Sequence, residues 1–395
     1  MKTAQHARRW LGLALACGTM IYAANSQAGK PAPPPPSPSY TLTQLSGLPG
    51  GNTYDAADVN DSGQVVGSMR TDNGQWHAVV WETATAPKDL DNGRGNSEAY
   101  GINNSGRVVG QCSFVGGPSP QPTVWIPDGQ GGYAPTVLIG GAGLNGSAND
   151  INDSGLVTGY FMLNGVEMGF VNRPETDANG VPITWFRDEN GDGINDLMFL
   201  LEPTTNADGI EPSAINDLGW VVGMDLMPPG YLAFVIIPDY TLPNPWFADE
   251  NGDGINDLMI HIDASHAHDV NNAGQIVGSD DWSWDSRMWT VVVAPGSVTI
   301  TTTTLQKPNS MKYGPSIAIN DRGQVVGNGQ NRTKDLDIRP LLWEQSKGTM
   351  LLENLLSDLA WFNDLDTASA INERGQIVGE GNTSAGRRAY LATPK

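Results

Sequence analysis

Ala57-Asp58-Val59-Asn60-Asp61-Ser62-Gly63-Gln64-Val65-Val66-Gly67 is the first clear copy of a stretch that returns seven times. The later copies run from Ile102-Asn103 to Gly110, Ile151-Asn152 to Gly159, Ile215-Asn216 to Gly223, Val270-Asn271 to Gly278, Ile319-Asn320 to Gly327 and Ile371-Asn372 to Gly379. Each copy reads as a β-hairpin: a β-branched residue ends one strand, Asn-x-x-Gly turns the chain, and an apolar pair opens the next strand. Asn60 is able to bond its own backbone two residues on, and Gly63 accepts the left-handed conformation that a type I turn with a bulge requires. The closing glycine, Gly67, predicts a bulge or the close approach of a neighbouring strand.

The same unit continues with an aromatic third strand. It is Gln75 to Glu82 in the first repeat, then Thr123-Val124-Trp125-Ile126, Gly169-Phe170-Val171, Leu232 to Ile236, Met288 to Val291, Leu341 to Glu344 and Ala389-Tyr390-Leu391. An aromatic at one place per repeat predicts packing between repeats. The repeat asparagines are spaced by 43, 49, 64, 55, 49 and 52 residues. Four short strands in about 45–50 residues is the size of one propeller blade.

The last repeat ends after its aromatic strand, and residues 40–45 form an orphan strand at the other end of the chain. Joining the two closes the ring without an exposed edge. The expected fold is therefore an all-β, seven-bladed β-propeller of four-stranded blades over residues 40–395, closed by the N-terminal strand.

Residues 1–28 read as a signal peptide: Lys2, Arg8 and Arg9 precede an apolar run, and Ser26-Gln27-Ala28 offers a small-x-small cleavage site. The expected location is outside the cytoplasm, periplasmic or secreted, with Arg8-Arg9 a faint twin-arginine signal and Cys17 a poor lipidation site. Residues 29–39 are a Pro-rich, extended linker. Cleavage removes three positive charges and takes the formal charge from −21 to −24, which disfavours nucleic acid and anionic lipid as partners. No apolar run after the leader spans a bilayer. Cys112 is then the remaining cysteine, so no disulfide forms within the mature chain.

Leu48-Pro49-Gly50-Gly51, the Asn-x-x-Gly stretch and His77-Ala78-Val79-Val80-Trp81 together resemble the bacterial HAF repeat, named for a His-Ala-Phe triplet. The resemblance spans about residues 40–393 and implies an exported propeller with no reaction attached. Only the first repeat keeps the histidine of the triplet, and Val79 stands where the phenylalanine would be.

Two repeats are long because each carries the same insert, Trp185 to Met198 and Trp246 to Met259. Oxygen-bearing side chains at alternating positions with a central glycine match the needs of a Ca²⁺ loop. One ion is assigned to Asp188, Asn190, Asp192, the Ile194 carbonyl and Asp196, and a second to Asp249, Asn251, Asp253, the Ile255 carbonyl and Asp257. The alternative is a tight polar turn without metal. Position 12 is Phe199 or Ile260 rather than glutamate, so these are not EF-hands. They resemble the calcium loops of integrin-type FG-GAP and thrombospondin type 3 repeats. Four negative charges in each loop favour a structural ion.

No nucleophile motif, phosphate loop or His-Glu-x-x-His is present. His266 and His268 would share one side of a strand, and Trp282 and Trp284 fall outside the repeat's aromatic place, which makes these four the candidate ligand contacts. Against that stands plain local packing. The sequence thus predicts a calcium-stabilised binding module for an extracellular polysaccharide or surface protein, without catalytic residues. The rival reading is a polysaccharide lyase or hydrolase with a site near His266, His268 and Trp282.

Overall fold

The computed structural model describes residues 40–395 apart from 52, 91–94, 114–118, 141–143, 204–207, 228–229, 281–285, 296 and 332–336. The leader and the Pro-rich linker, residues 1–39, lie outside the described residues. Seven antiparallel sheets follow one another as seven blades, each four strands deep. Blade 1 shows the pattern: Thr53–Val59 innermost, then Val65–Arg70, Trp76–Trp81 and Pro87–Asp89 outermost. The orphan strand Tyr40–Gln44 pairs antiparallel with Gly386–Pro394, Tyr40 opposite Pro394, and becomes the outer strand of blade 7. Blade 6 departs slightly, since Met311–Tyr313 and Ser316–Ile319 share the inner place and both pair with Val325–Asn331.

The Asn-x-x-Gly turn does more than reverse the chain. In blade 1 the Gly63 amide donates to the Asn60 carbonyl at 2.9 Å, with Gly63 at φ 80°. The Asn60 Oδ1 accepts the amides of Ser62 and Gln64, both at 3.0 Å. That leaves the Asn60 Nδ2 free to reach the next blade, where it donates to the Asn103 carbonyl at 3.0 Å. Asn103, Asn152, Asn216, Asn271 and Asn320 repeat the bond in turn, and Asn372 returns it to Asn60 at 2.8 Å. Seven side-chain bonds therefore close a ring through residues as far apart as 60 and 372.

A second course lies directly above. The amide of each following residue donates to the side-chain oxygen of its counterpart in the next blade, from Asp61 to Asn104, on through Asp153, Asp217, Asn272, Asp321 and Glu373, and back to Asp61.

The closing glycine answers both readings offered for it. The register between the first two strands shifts three residues before the repeat asparagine in every blade, a β-bulge. Opposite that bulge a Cβ on Gly67 would sit 2.0 Å from the Asp55 carbonyl oxygen, and the six other closing glycines meet the same carbonyl at 2.0 to 2.2 Å. Any side chain there would force the strands apart.

The core is a series of inter-blade layers, such as Val66, Ala78 and Val80 of blade 1 against Ala99, Ile102, Val108 and Trp125 of blade 2. The expected single aromatic place is in fact two. Trp81, Trp125, Trp289 and Trp343 face the residue five after the repeat asparagine, whereas Phe170, Phe234 and Tyr390 face the closing glycine two places away. Positions two apart on a strand share a face, so both fill the same layer. In blades 3 and 4 the tryptophan place holds Asn172 and Ile236, and the fully buried Trp185 and Trp246 of the inserts pack there instead. Their Nε1 atoms donate to the carbonyls of the turn glycines Gly155 and Gly219. His77 of the HAF-like triplet is also structural: it is buried, with Nδ1 2.8 Å from Asp89 Oδ2 on the outer strand.

Candidate functional site

The inner strands leave a channel down the propeller axis, and the repeat numbering says which residues line it. At the asparagine end the wall is nearly uniform. Asp58, Asp150 and Asp269 stand two residues before their asparagines, where the other four blades carry Gly101, Ala214, Ala318 and Ala370. Each carboxylate accepts the amide of its own next residue and an amide of the next blade: Ile102 at 2.9 Å, Ile215 at 2.8 Å and Ile319 at 2.8 Å. They act as latches between blades. Burial, opposed only in part by these amides, pushes the Asp150 carboxyl up to about 8 and Asp269 up to about 7, and raises Asp58 as well. Outside them Asp61, Asp153, Asp217, Asp321 and Glu373 rim a cavity of about 340 Å³.

The opposite end is where the blades stop resembling one another. Five residues before the asparagines stand Asp55, Glu98, Ser147, Glu211, His266, Pro315 and Thr367. The bulge aims the side chains of the residues three before each asparagine, Tyr100, Asn149 and His268 among them, toward the same region. Between blades 7, 1 and 2 a cavity of about 350 Å³ is lined by Asp55, Ser68, Trp76, Glu98, Tyr100 and Glu380. Burial raises Asp55 to about 7, with the charges of Glu380 and Glu98 adding to the shift and Arg387 opposing it. The Tyr100 hydroxyl donates to Glu98 Oε2, which also accepts Gln111 Nε2 at 3.1 Å. Arg387 pairs with Glu380. Between blades 3 and 4, burial and the neighbouring Glu211 raise Glu167, on the third strand of blade 3, to about 7.

His266 and His268 lie in the wall of this channel, as one strand side predicts. Their rings stack with centroids 5.8 Å apart and planes 6° from parallel, and Tyr231 lies 5.3 Å from His266. The His268 Nε2 is 3.1 Å from the Ser279 hydroxyl, and burial, then His266, lowers the ring to about 4. At neutral pH it is an uncharged hydrogen-bonding group. Trp282 and Trp284 lie outside the described residues. His261 is separate, with Nε2 3.2 Å from the buried Asp225 Oδ2.

The two inserts enter their blades beside the asparagine turns, since Asn172 pairs with Val157 and Ile236 with Val221. In each loop the first carboxylate straps the glycine amides: Asp188 accepts Gly191 and Gly193, and Asp249 accepts Gly252 and Gly254 and also the Asp253 amide. Asn190 Oδ1 accepts the Asp192 amide, Asp192 Oδ1 that of Ile194, and Asp196 Oδ2 that of Glu189, with Asn251, Asp253 and Asp257 repeating the pattern. The buried Asn195 and Asn256 anchor the loops to the carbonyls of Trp185 and Trp246. Among the described residues no three histidine, cysteine or carboxylate groups converge on one point. An oxygen that accepts one amide keeps a lone pair, so the donor set suits a hard cation.

Sequence reasoning passed over Asp55, Trp76, Glu98, Tyr100, Glu167, Glu211 and Glu380. For Asp55, Glu98, Tyr100 and Glu211 the available signal was the pair of columns five and three residues before each asparagine, where charged, polar and aromatic residues differ from blade to blade. Trp76, Glu167 and Glu380 lie on other strands, outside those columns.

The chain matches no protein-family model and no curated protein. The likeness to HAF repeats therefore rests on the residues quoted for it. Solved structures of similar shape include a puromycin hydrolase mutant complexed with PGG, at 12% identity and TM-score 0.48 over 87% of this chain and 53% of that one. They also include Pyrococcus horikoshii acylaminoacyl peptidase, at 10% and 0.45 over 90% and 52%, and the lectin SapL1 in complex with alpha methyl fucoside, at 10% and 0.34 over 78% and 96%. This chain spans about half the length of the first two. At these scores none bears on the chemistry of the site.

The raised carboxyls set the sign of a pH dependence. Unfolded, Asp150 and Asp269 release their protons near 3.8; folded, they hold them to about 8 and 7. Their contribution to stability is present below the lower value and is lost as pH rises through the higher ones. Urea unfolding in chelator is expected to give a higher midpoint at pH 5 than at pH 8. Replacing Asp58, Asp150 and Asp269 together by alanine, the residue blades 4, 6 and 7 already carry, is expected to narrow that difference. A midpoint that rises from pH 5 to pH 8 in the wild type contradicts this assignment.

Proposed function

We propose that this propeller is an exported, calcium-stabilised binding module that grips an extracellular polysaccharide at the end of the channel opposite the asparagine ring. One observation carries the reading. In a molecule whose other end is a seven-fold repetition, symmetry is broken where carboxyl groups and aromatic rings surround a concave space, Asp55, Glu98 and Glu380 beside Trp76 and Tyr100. A carboxyl raised to about 7, as at Asp55, donates as well as accepts hydrogen bonds, which suits hydroxyl groups, and an aromatic face covers the apolar side of a sugar ring. The leader-like N-terminus supports export. No helix among the described residues is long and apolar enough to cross a membrane.

A hydrolytic reading has one observation in its favour: Asp55, raised to about 7, shares its cavity with two further carboxyl groups, Glu98 and Glu380. The same assay separates the two. Immobilised bacterial and plant polysaccharides are expected to bind the wild type saturably without being shortened. Trp76→Ala is expected to weaken that binding on the order of tenfold, or about 1.4 kcal/mol. Shortened polysaccharide, abolished by Asp55→Asn, favours the hydrolase. No saturable binding to any polysaccharide rejects the proposal.

Each inserted loop is assigned one Ca²⁺, held by Asp188, Asn190, Asp192, Asp196 and the Ile194 carbonyl in blade 3, and by Asp249, Asn251, Asp253, Asp257 and the Ile255 carbonyl in blade 4. The ion's role is to neutralise the crowded carboxylates and fasten Trp185 and Trp246 into their layers. Calorimetric titration is expected to count two ions per chain, and chelator to lower the thermal midpoint. Asp192→Ala with Asp253→Ala is expected to remove both effects. Zero ions bound, or a midpoint indifferent to chelator, removes calcium from the account.

A further inference from the structure

Six of the seven outer strands are guarded against pairing with another chain. They are three to five residues long. Pro87, Lys88 and Asp89 make up the edge of blade 1, Pro135 interrupts that of blade 2, and Glu202-Pro203 follows that of blade 3. Short length, proline and charge are the usual protections of an open edge.

The outer strand of blade 5 has none of them. Ser297–Thr304 runs for eight residues, Ser-Val-Thr-Ile-Thr-Thr-Thr-Thr, with seven β-branched side chains and every position but Ile300 exposed. Among the described strands it pairs with Ser286–Ala294 alone. From residue 288 to 306 the chain has no ionisable side chain, in a protein of formal charge −21. Val292 and Val298, one register step apart beside the turn of this hairpin, are 56% and 38% exposed.

We propose that Ser297–Thr304 is a self-association edge, pairing antiparallel with the same strand of a second copy about a two-fold axis. This inference is independent of the polysaccharide reading. Antiparallel pairing places threonine and β-branched residues opposite their own kind, combinations that stabilise neighbouring strands. Charge selects the same partner. Copies at −21 repel wherever their acidic surfaces meet, and this uncharged edge is where two of them approach with least repulsion. An edge without charge also has nothing with which to select a charged foreign peptide. Because the two-fold contact consumes both edges, assembly stops at the dimer.

Sedimentation equilibrium of the purified protein at tens of micromolar is the test. The expected result is a dimer. Thr301→Lys with Thr303→Lys, two exposed side chains on one side of the strand, is expected to raise the dimer dissociation constant by about a hundredfold or more, while Thr301→Val with Thr303→Val leaves it dimeric. Equal thermal midpoints for the two variants exclude misfolding as the cause. A wild-type monomer throughout the range overturns the proposal. So does a dimer that survives both lysines, or growth of open-ended aggregates.

Discussion

The structure depends on a side-chain amide that does two jobs. The Oδ1 of each repeat asparagine secures its own turn, and its Nδ2 bonds a carbonyl of the next blade. Aspartate lacks the donor for the second job, and serine is too short to do both. Once the asparagine is fixed, the rest of the hairpin follows: glycine at the left-handed turn position, a bulge three residues earlier, and a second glycine where the bulged strand presses a carbonyl to about 2 Å from the site of any Cβ. Seven identical solutions generate a closed ring. The N-terminal strand then finishes blade 7 through its backbone.

That uniformity divides the molecule by role. The asparagine end is committed to closure, so even its buried carboxyls, Asp58, Asp150 and Asp269, serve as bridges to the next blade. The inserts begin at this end, and each replaces a missing strand tryptophan with one of its own. At the other end the inner strands are free of the ladder's demands, and there the residues diverge. Asp55, Glu98, Glu211 and His266 occupy equivalent places in four blades yet share no structural duty across the ring.

Periodic features were open to reading from the sequence. The asparagine turns, closing glycines, aromatic third strands and orphan first strand recur at set distances, and the blades form where those distances put them. The aromatic layer was misread in detail because tryptophan two places along the strand packs on the same face as phenylalanine. The cavity was hidden for two physical reasons. A bulge at Tyr100 and Asn149 breaks the alternation of inward and outward residues, so the face read after it does not carry back to the residues before it. The cavity also joins Asp55, Glu98 and Glu380, which meet only because the ring closes. His266 and His268 were found because they stood out by type, not by place.

The claim that the asparagine ring closes the fold as one cooperative unit is tested most directly by native-state hydrogen exchange at the amides four residues after each repeat asparagine: Gln64, Arg107, Leu156, Trp220, Gln275, Gln324 and Gln376. Each donates to its asparagine's Oδ1 at 2.9 to 3.0 Å. If the ring opens only as a whole, all seven exchange with one opening free energy, equal to that of global unfolding. Separate, lower values for individual blades would contradict the account and make the ladder a set of independent turns.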